Sequence, residues 1–146
     1  MVPDSTVDVA GGRAAAGAAT AIPATDMFEA IRALGITDII TVPDTHLKTL
    51  LDLLQAQQTI RLLTVCTEDE AIGINAGLHI AGRRPMMLIQ NNGFYACLNT
   101  VKAISLDARV PTFMLVGHYG REVAKPVGEN RLRAVRLLQP TMEVWG

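Results

Sequence analysis

Three acidic residues follow closely after an apolar stretch, residues 62–65, that is typical of a buried β-strand. Glu68, Asp69 and Glu70 begin a segment rich in Ala and Gly that is typical of a helix. In open parallel α/β sheets ligands bind outside the carboxyl ends of the strands, so a carboxylate at this position can exchange a proton with a ligand. For Asp69 and Glu70 we favour a simpler role, because acids are common in a helix's first turn, where they offset its dipole.

A second group of polar residues stands at the end of the next apolar run, residues 86–90. Gln90, Asn91 and Asn92 carry amides, which can hold a carboxylate or a carbonyl group without titrating. Asn92 could instead cap the helix that follows. We expect at least one of the three amides to face a substrate cavity.

A third strand end, after residues 38–42, carries the turn Pro43-Asp44-Thr45-His46. Asp44 and Thr45 are residue types that cap helices. His46 is either a surface residue or a group able to transfer protons near neutral pH. The turn therefore adds polar groups to the same edge of the predicted sheet.

Apolar spacing predicts the elements that position these groups. Four strand-helix units follow one another, which predicts an α/β fold: a doubly wound, mainly parallel sheet with helices on both faces. The predicted strands are residues 38–42, 60–65, 86–90 and 112–117. The first helix is predicted to start at a Thr25 or Asp26 cap, and Gly35 to adopt a left-handed conformation after it. Later helices are predicted over residues 47–57, 68–82, 92–106 and 129–138, the last ending before Pro140.

Two further segments receive no chemical role. Residues 1–22 contain almost no large apolar side chain and are predicted to be a flexible tail, which leaves residues 23–146 as one domain. Arg83 and Arg84 precede Pro85 in a turn at the opposite edge of the sheet, and we assign them no chemistry.

The composition argues against several classes of function. With 146 residues, 49% of them hydrophobic and 18% charged, the chain resembles an ordinary globular domain. A net charge of −1 argues against nucleic-acid binding, and no apolar run approaches the ~20 residues of a membrane span. Two cysteines outside any paired motif indicate a cytoplasmic setting, and three histidines without ligand spacing predict no metal site formed by this chain alone.

Two of the motifs together resemble a known family. Glu68 is followed by Ala71 and Gly77 in a helix of small residues, and the strand over residues 86–90 leads into Gln90-Asn91-Asn92-Gly93. This pattern resembles the pyrimidine-binding domain of thiamine-diphosphate-dependent enzymes, in particular the sulfopyruvate and phosphonopyruvate decarboxylases. The resemblance runs from about residue 25 to the C-terminus.

The resemblance implies a coenzyme site at this edge of the sheet. In that family a glutamate at the position of Glu68 hydrogen-bonds the aminopyrimidine ring of thiamine diphosphate and starts the proton relay that activates the coenzyme. Glu68 is therefore expected to be both catalytic and cofactor-binding. Pro43, Gly93 and Phe94 are expected to contact the coenzyme as well.

The resemblance also implies a substrate site. Thr45 falls where relatives carry a polar residue near the substrate, and with its neighbour His46 it is expected to be catalytic and substrate-binding. The other expected substrate-binding residues are Gln90, Asn91, Asn92, His118 and Tyr119. The last two replace a Trp-Arg-Gly of the relatives, so Arg121 just beyond them is a guanidinium that could hold an anionic group.

The resemblance finally implies a partner. The diphosphate of the coenzyme needs Mg²⁺, which this family holds with a Gly-Asp-Gly turn in a separate domain, and the present sequence has no such turn. We therefore expect a diphosphate-binding β subunit, a hetero-oligomer, and decarboxylation of a 2-oxo acid to an aldehyde and CO2. A carboligase subunit similar to acetolactate synthase and a non-catalytic binding or regulatory module remain as alternatives.

Overall fold

In the computed structural model of the protein, which describes residues 21–145, four strands form one parallel sheet. The strands are β1 (Asp38–Thr41), β2 (Arg61–Thr64), β3 (Pro85–Gln90) and β4 (Met114–Gly117), in the order β2-β1-β3-β4. All three strand pairs are parallel, and each strand lies within two residues of its predicted bounds. The order places β2 on one side of β1 and β3 on the other, so the winding reverses between β1 and β3.

Helices cover both faces of the sheet, as predicted. The helices are α1 (Ala24–Ala33), α2 (Lys48–Gln57), α3 (Glu68–Ile80), α4 (Asn91–Ala96), α5 (Leu98–Thr100), α6 (Arg133–Arg136) and α7 (Leu138–Trp145). Successive residues of a strand point to opposite faces. Ile39 of β1 therefore packs with α1 and α2, whereas its neighbour Ile40 packs with α3, α4 and α7. The two buried clusters hold the strand ends in fixed positions relative to one another.

Several predicted helix boundaries are wrong. Helix α1 begins at Ala24 rather than at a Thr25 or Asp26 cap, because the carbonyl of Pro23 already accepts the N–H of Met27 at 3.2 Å. The predicted helix over 92–106 is divided into α4, α5 and a π-helical segment, Val101–Asp107. Gly35 is left-handed as predicted, with φ +69°.

The C-terminal helix prediction is also wrong. Residues 129–138 contain the end of a 3₁₀ turn, Val127–Glu129, and the short α6, and α7 then continues through Pro140. Pro140 is the third residue of α7. A proline is tolerated there because the backbone N–H groups of a first turn have no partner within the helix.

Two expectations concern other properties of the chain. Residues 1–20 of the predicted tail, residues 1–22, lie outside the described residues, and the domain boundary at 23 stays a prediction. Among residues 21–145, the structure contains no helix with the length and apolar character needed to cross a membrane.

Candidate functional site

Glu68 is the first residue of α3, just beyond the carboxyl end of β2. The chain turns into the helix at Thr67, whose side-chain oxygen accepts the N–H of Glu70 at 3.2 Å. The carboxylate of Glu70 in turn accepts the N–H of Cys66 at 2.9 Å, and that of Asp69 accepts the hydroxyl of Thr100. Asp69 and Glu70 therefore have local structural partners, in keeping with the simpler role favoured for them.

Glu68 differs from its two acidic neighbours in both burial and partners. Its side chain is half-buried, whereas those of Asp69 and Glu70 are exposed. Within residues 21–145 no side chain or backbone N–H donates a hydrogen bond to the carboxylate of Glu68, and no cation pairs with it. No protein donor among these residues therefore competes with a ligand for the carboxylate.

The position of the Glu68 side chain depends on Gly93, in the first turn of α4. A Cβ atom added to Gly93 would lie 2.8 Å from Cγ of Glu68 and closer still to its carboxyl group. Gly93 is itself buried, so the carboxylate rests on bare backbone. Packing between α3 and α4, rather than hydrogen bonding, therefore holds the carboxylate in place.

Cys97, at the end of α4, lies beneath this contact and is fully buried. Burial, followed by the negative charges of Asp69 and Glu68, raises the pKa of the Cys97 thiol to about 11. Its Sγ lies 3.4 Å from the carbonyl oxygen of Phe94. Cys97 therefore remains a neutral thiol. It packs in the core as an apolar side chain and is not a nucleophile.

The three amides at the end of β3 have different environments. Asn91 is fully buried, donates to the carbonyl of Tyr119 at 3.2 Å and accepts the N–H of Asn92 at 3.0 Å. Its side chain thus connects the end of β3 to the loop after β4. Asn92 is exposed and donates to the side-chain oxygen of the half-buried Gln90 at 3.2 Å. A substrate role for any of these amides stays a prediction, and Gln90 and Asn92 are the accessible pair.

A cavity of about 370 Å³ lies between the turn after β1 and the loop after β4. His46 and Tyr119 meet there with ring centroids 5.3 Å apart, in an edge-to-face arrangement. Asp44 also lines the cavity and accepts the N–H of His46 at 3.0 Å, which confirms its capping role. The cavity therefore brings together the predicted residues His46, His118 and Tyr119.

The remaining predicted residues, Glu68 included, lie outside that cavity lining. Thr45 and Pro43 are exposed on the turn after β1, and Phe94 is buried against the core. Their coenzyme and substrate roles stay predictions. Arg121 does line the cavity, and one of its nitrogens donates to the carbonyl oxygens of Glu122 and Lys125.

Sequence reasoning missed the residue that shapes the loop carrying Arg121. Asn130 is fully buried, accepts the N–H of Glu122 at 2.6 Å and donates to the carbonyl of Pro126 at 2.8 Å. A single Asn in an aperiodic segment carries no sequence signal for such a role. The loop therefore has a defined shape that residue types alone do not indicate.

Comparisons with known proteins identify the family and several relatives of this chain. Residues 23–137 match the family described as thiamine pyrophosphate enzyme, N-terminal TPP binding domain. The chain is 31% identical over 94 residues to sulfopyruvate decarboxylase subunit alpha of Methanocaldococcus jannaschii, covering 64% of this chain and 56% of that protein. It is 30% identical over 96 residues to the same subunit of Methanothermobacter thermautotrophicus, covering 66% and 58%.

A third relative is longer. Phosphonopyruvate decarboxylase of Streptomyces hygroscopicus is 29% identical over 111 residues, which cover 76% of this chain and 28% of that protein. The chain thus spans a little over half the length of the two alpha subunits it matches and about a quarter of this larger relative. The family match extends over most of the described residues and confirms the resemblance drawn from the motifs around Glu68 and Gly93. The chain belongs to the family of N-terminal thiamine-pyrophosphate-binding domains of thiamine pyrophosphate enzymes.

Proposed function

We propose that this chain is the pyrimidine-binding part of a thiamine-diphosphate-dependent decarboxylase that converts a 2-oxo acid of the sulfopyruvate or phosphonopyruvate type to an aldehyde and CO2. One observation supports the proposal above the others. Glu68 presents a carboxylate without a protein partner among residues 21–145, held against the backbone of Gly93. When bound, thiamine diphosphate supplies the nucleophilic carbon and the electron sink that decarboxylation of a 2-oxo acid requires.

The residues of the site fit the pyrimidine end of the coenzyme. Glu68 would hydrogen-bond a ring nitrogen and hold or release a proton there, which a half-buried carboxylate can do without losing another partner. Gly93 sets the height of the carboxylate above α4. Residues Pro43 and Phe94 would complete the coenzyme contacts.

The cavity of about 370 Å³ is the proposed place of the substrate's anionic group. His46, His118 and Arg121 line it and can donate to a carboxylate, sulfonate or phosphonate. Thr45, Gln90 and Asn92 are accessible polar groups at the carboxyl ends of β1 and β3, outside the cavity lining, and we propose them as further substrate contacts. Tyr119 forms the wall that packs on His46.

The metal and the diphosphate are assigned to a second polypeptide. The sequence contains no Gly-Asp-Gly turn, and two relatives carry the words subunit alpha in their names. We therefore propose a hetero-oligomer in which a β subunit holds Mg²⁺ and the diphosphate. If the isolated chain, supplied with thiamine diphosphate and Mg²⁺, decarboxylated a 2-oxo acid unaided, the two-chain arrangement would be wrong.

The test is Glu68→Gln, measured in the complex with the β subunit by CO2 release from sulfopyruvate. We expect turnover to fall by about 10²–10⁴-fold, because the amide cannot exchange the proton. The melting temperature should stay the same or rise slightly, since the substitution removes no protein partner of the Glu68 carboxylate among the described residues and relieves the cost of a partly buried, unpaired charge.

Asp69→Asn is the matched control. It neutralises the adjacent acid, which is exposed and bonded to Thr100 rather than to the site. We expect its turnover to stay within about threefold of the native value. Near-native turnover in Glu68→Gln would remove Glu68 from the mechanism and would favour a non-catalytic role for the domain.

A further inference from the structure

A second cavity, of about 510 Å³, opens at the amino end of the sheet, opposite Glu68. It lies between the turns that lead into β3 and β4. Its lining includes His79, Arg83, Arg84, Pro85, Pro111 and Phe113. The lining contains no carboxylate, and it includes the two arginines that the sequence analysis left without a role.

The side chain of Arg83 is hydrogen-bonded to the buried carboxylate of Asp38. The charges of these two residues and Arg61 still sum to a positive value. Nε of Arg83 donates to one oxygen of Asp38 at 2.6 Å, and Nε of Arg61 donates to the other oxygen at 2.6 Å. One negative charge is therefore shared by two guanidinium groups, and the group of three keeps a net charge of +1. Asp38 orients Arg83 without neutralising the cavity.

Arg84 adds a second cation that is also held in place. Its backbone forms two hydrogen bonds with Thr37, each 2.9 Å long. Its guanidinium lies over Gly35, where an added Cβ would be 3.9 Å from Cζ. Within residues 21–145 no carboxylate accepts a hydrogen bond from this group. Because the backbone of Arg84 is anchored, only its side chain has to be ordered when an anion binds.

The end of α3 beside the cavity is capped in part by backbone N–H groups, so fewer free carbonyls face it. The N–H of Gly82 donates to the carbonyl of His79 at 2.9 Å, and the N–H of Arg83 donates to that of Leu78 at 3.0 Å. Gly82 adopts φ +75°, as this type of helix end requires. The carbonyls of Leu78 and His79 are thus satisfied by the chain's own backbone, which leaves the cations Arg83 and Arg84 as the nearest charges after this turn.

An apolar surface borders the two arginines. The ring of Phe113 is 50% exposed although the residue directly precedes β4. Pro85 and Pro111 line the same cavity. An exposed aromatic ring is a stacking surface for a flat heterocycle.

We propose that this cavity binds a nucleoside phosphate, with the phosphate on Arg83 and Arg84 and the base on Phe113. Guanidinium groups form strong paired hydrogen bonds with phosphate oxygens, and two adjacent guanidinium groups match the higher negative charge of a phosphate better than that of a single carboxylate. The site lies at the other end of the sheet from Glu68 and does not depend on the function proposed for that residue.

Isothermal titration of the full chain with ADP, pyrophosphate and adenosine tests the proposal. We expect ADP and pyrophosphate to bind and adenosine alone to bind much more weakly. Arg84→Ala should weaken ADP and pyrophosphate by about tenfold, because a charge-assisted contact is lost. Phe113→Ala should weaken ADP several-fold and leave pyrophosphate unchanged.

Arg133→Ala is the matched control, since Arg133 is an exposed arginine on α6 and its loss changes the net charge equally. Three results would overturn the proposal. They are the absence of ADP and pyrophosphate binding at about 1 mM ligand, equal weakening by Arg133→Ala and Arg84→Ala, and an unchanged ADP affinity in Phe113→Ala. Circular dichroism melting of each variant shows that the fold is retained.

Discussion

Two acidic side chains, Asp38 and Glu68, lie at opposite ends of the same sheet in opposite environments. Asp38 is fully buried and accepts hydrogen bonds from Arg61, Arg83 and Thr37, all at 2.6 Å. Glu68 is half-buried, has no donor among residues 21–145 and rests on backbone. Both oxygens of Asp38 accept hydrogen bonds from the protein, whereas the carboxylate of Glu68 is left without a protein donor among these residues and could bind a ligand.

The different environments of Asp38 and Glu68 indicate different roles, one in folding stability and the other in function. A fully buried acid with both oxygens hydrogen-bonded to protein donors contributes to folding and is closed to a ligand by its burial. A partly buried acid without a partner costs some stability, and such groups are found where a ligand completes the site. We therefore expect substitutions around Asp38 to change the free energy of unfolding and substitutions around Glu68 to change turnover.

Gly93→Ala is the sharpest test at the Glu68 end. The new methyl group would occupy the space of the Glu68 side chain, which must rotate away. We expect turnover of the complex to fall by about 100-fold, because a catalytic group displaced by about 1 Å can lose that much. The free energy of unfolding should change little, since only the end of a flexible side chain has to move.

Gly73→Ala and Gly77→Ala provide the controls for this prediction. Both glycines are on α3, and an added Cβ at either would meet no atom within 4 Å. They should stabilise the protein by about 0.5–1 kcal/mol, as alanine does in a helix, without lowering turnover. If Gly93→Ala behaved in the same way, the contact between Gly93 and Glu68 would not position the carboxylate.

Asp38→Asn tests the other end of the sheet. The substitution removes the charge that Arg61 and Arg83 share, and we expect a loss of about 2 kcal/mol in the free energy of unfolding, measured in urea. The loss is moderate because the two arginines are 51% and 42% exposed and can be hydrated again.

Asp52→Asn is the control for Asp38→Asn, because it removes an exposed acid paired with Lys48 within α2. It should change the free energy of unfolding by less than about 0.5 kcal/mol. If both variants lost the same free energy of unfolding, the hydrogen bonds of the buried Asp38 would contribute no more than those of a surface acid.

The two ends also differ in how far the sequence predicts them. The four strands could be predicted because short apolar runs bounded by turn residues are local signals, and Glu68 stands directly after one of them. The hydrogen bonds accepted by Asp38 could not be predicted from the sequence. Arg61 and Arg83 lie 23 and 45 residues away in sequence, and only the strand register brings them to one carboxylate.

Local patterns also miss tertiary contacts. The amide of Asn91 is predicted to bind substrate and that role stays a prediction, but its hydrogen bond to the carbonyl of Tyr119, 28 residues away, has no local signal. Pro140 suggested a helix end, yet α7 accommodates it in the first turn. In each case the deciding neighbour or helix position is absent from the local sequence pattern.

The pH dependence of unfolding tests the role assigned to Asp38 in a second way. Burial raises the pKa of Asp38, but the hydrogen bonds from Arg83, Thr37 and Arg61 outweigh it and hold the pKa below the ordinary value. The stability from this depressed pKa is full above the unfolded value of about 3.9 and is lost as the pH falls further. We expect the difference between native protein and Asp38→Asn in urea unfolding to be constant above pH ~5 and to shrink below pH ~4. A difference that grew towards acid would contradict the pairing.

Thiol labelling gives the smallest effect and reports on the packing beneath Glu68. Cys66 is exposed, whereas Cys97 is buried and its pKa is raised to about 11 by burial and by the charges of Asp69 and Glu68. At pH 8 only about one in a thousand Cys97 side chains would be a thiolate, so one thiol should react with Ellman's reagent in the native protein and two in denaturant. If Cys97 reacted as fast as Cys66, α4 would open on the timescale of labelling, and Gly93 could not hold the Glu68 carboxylate at a fixed height.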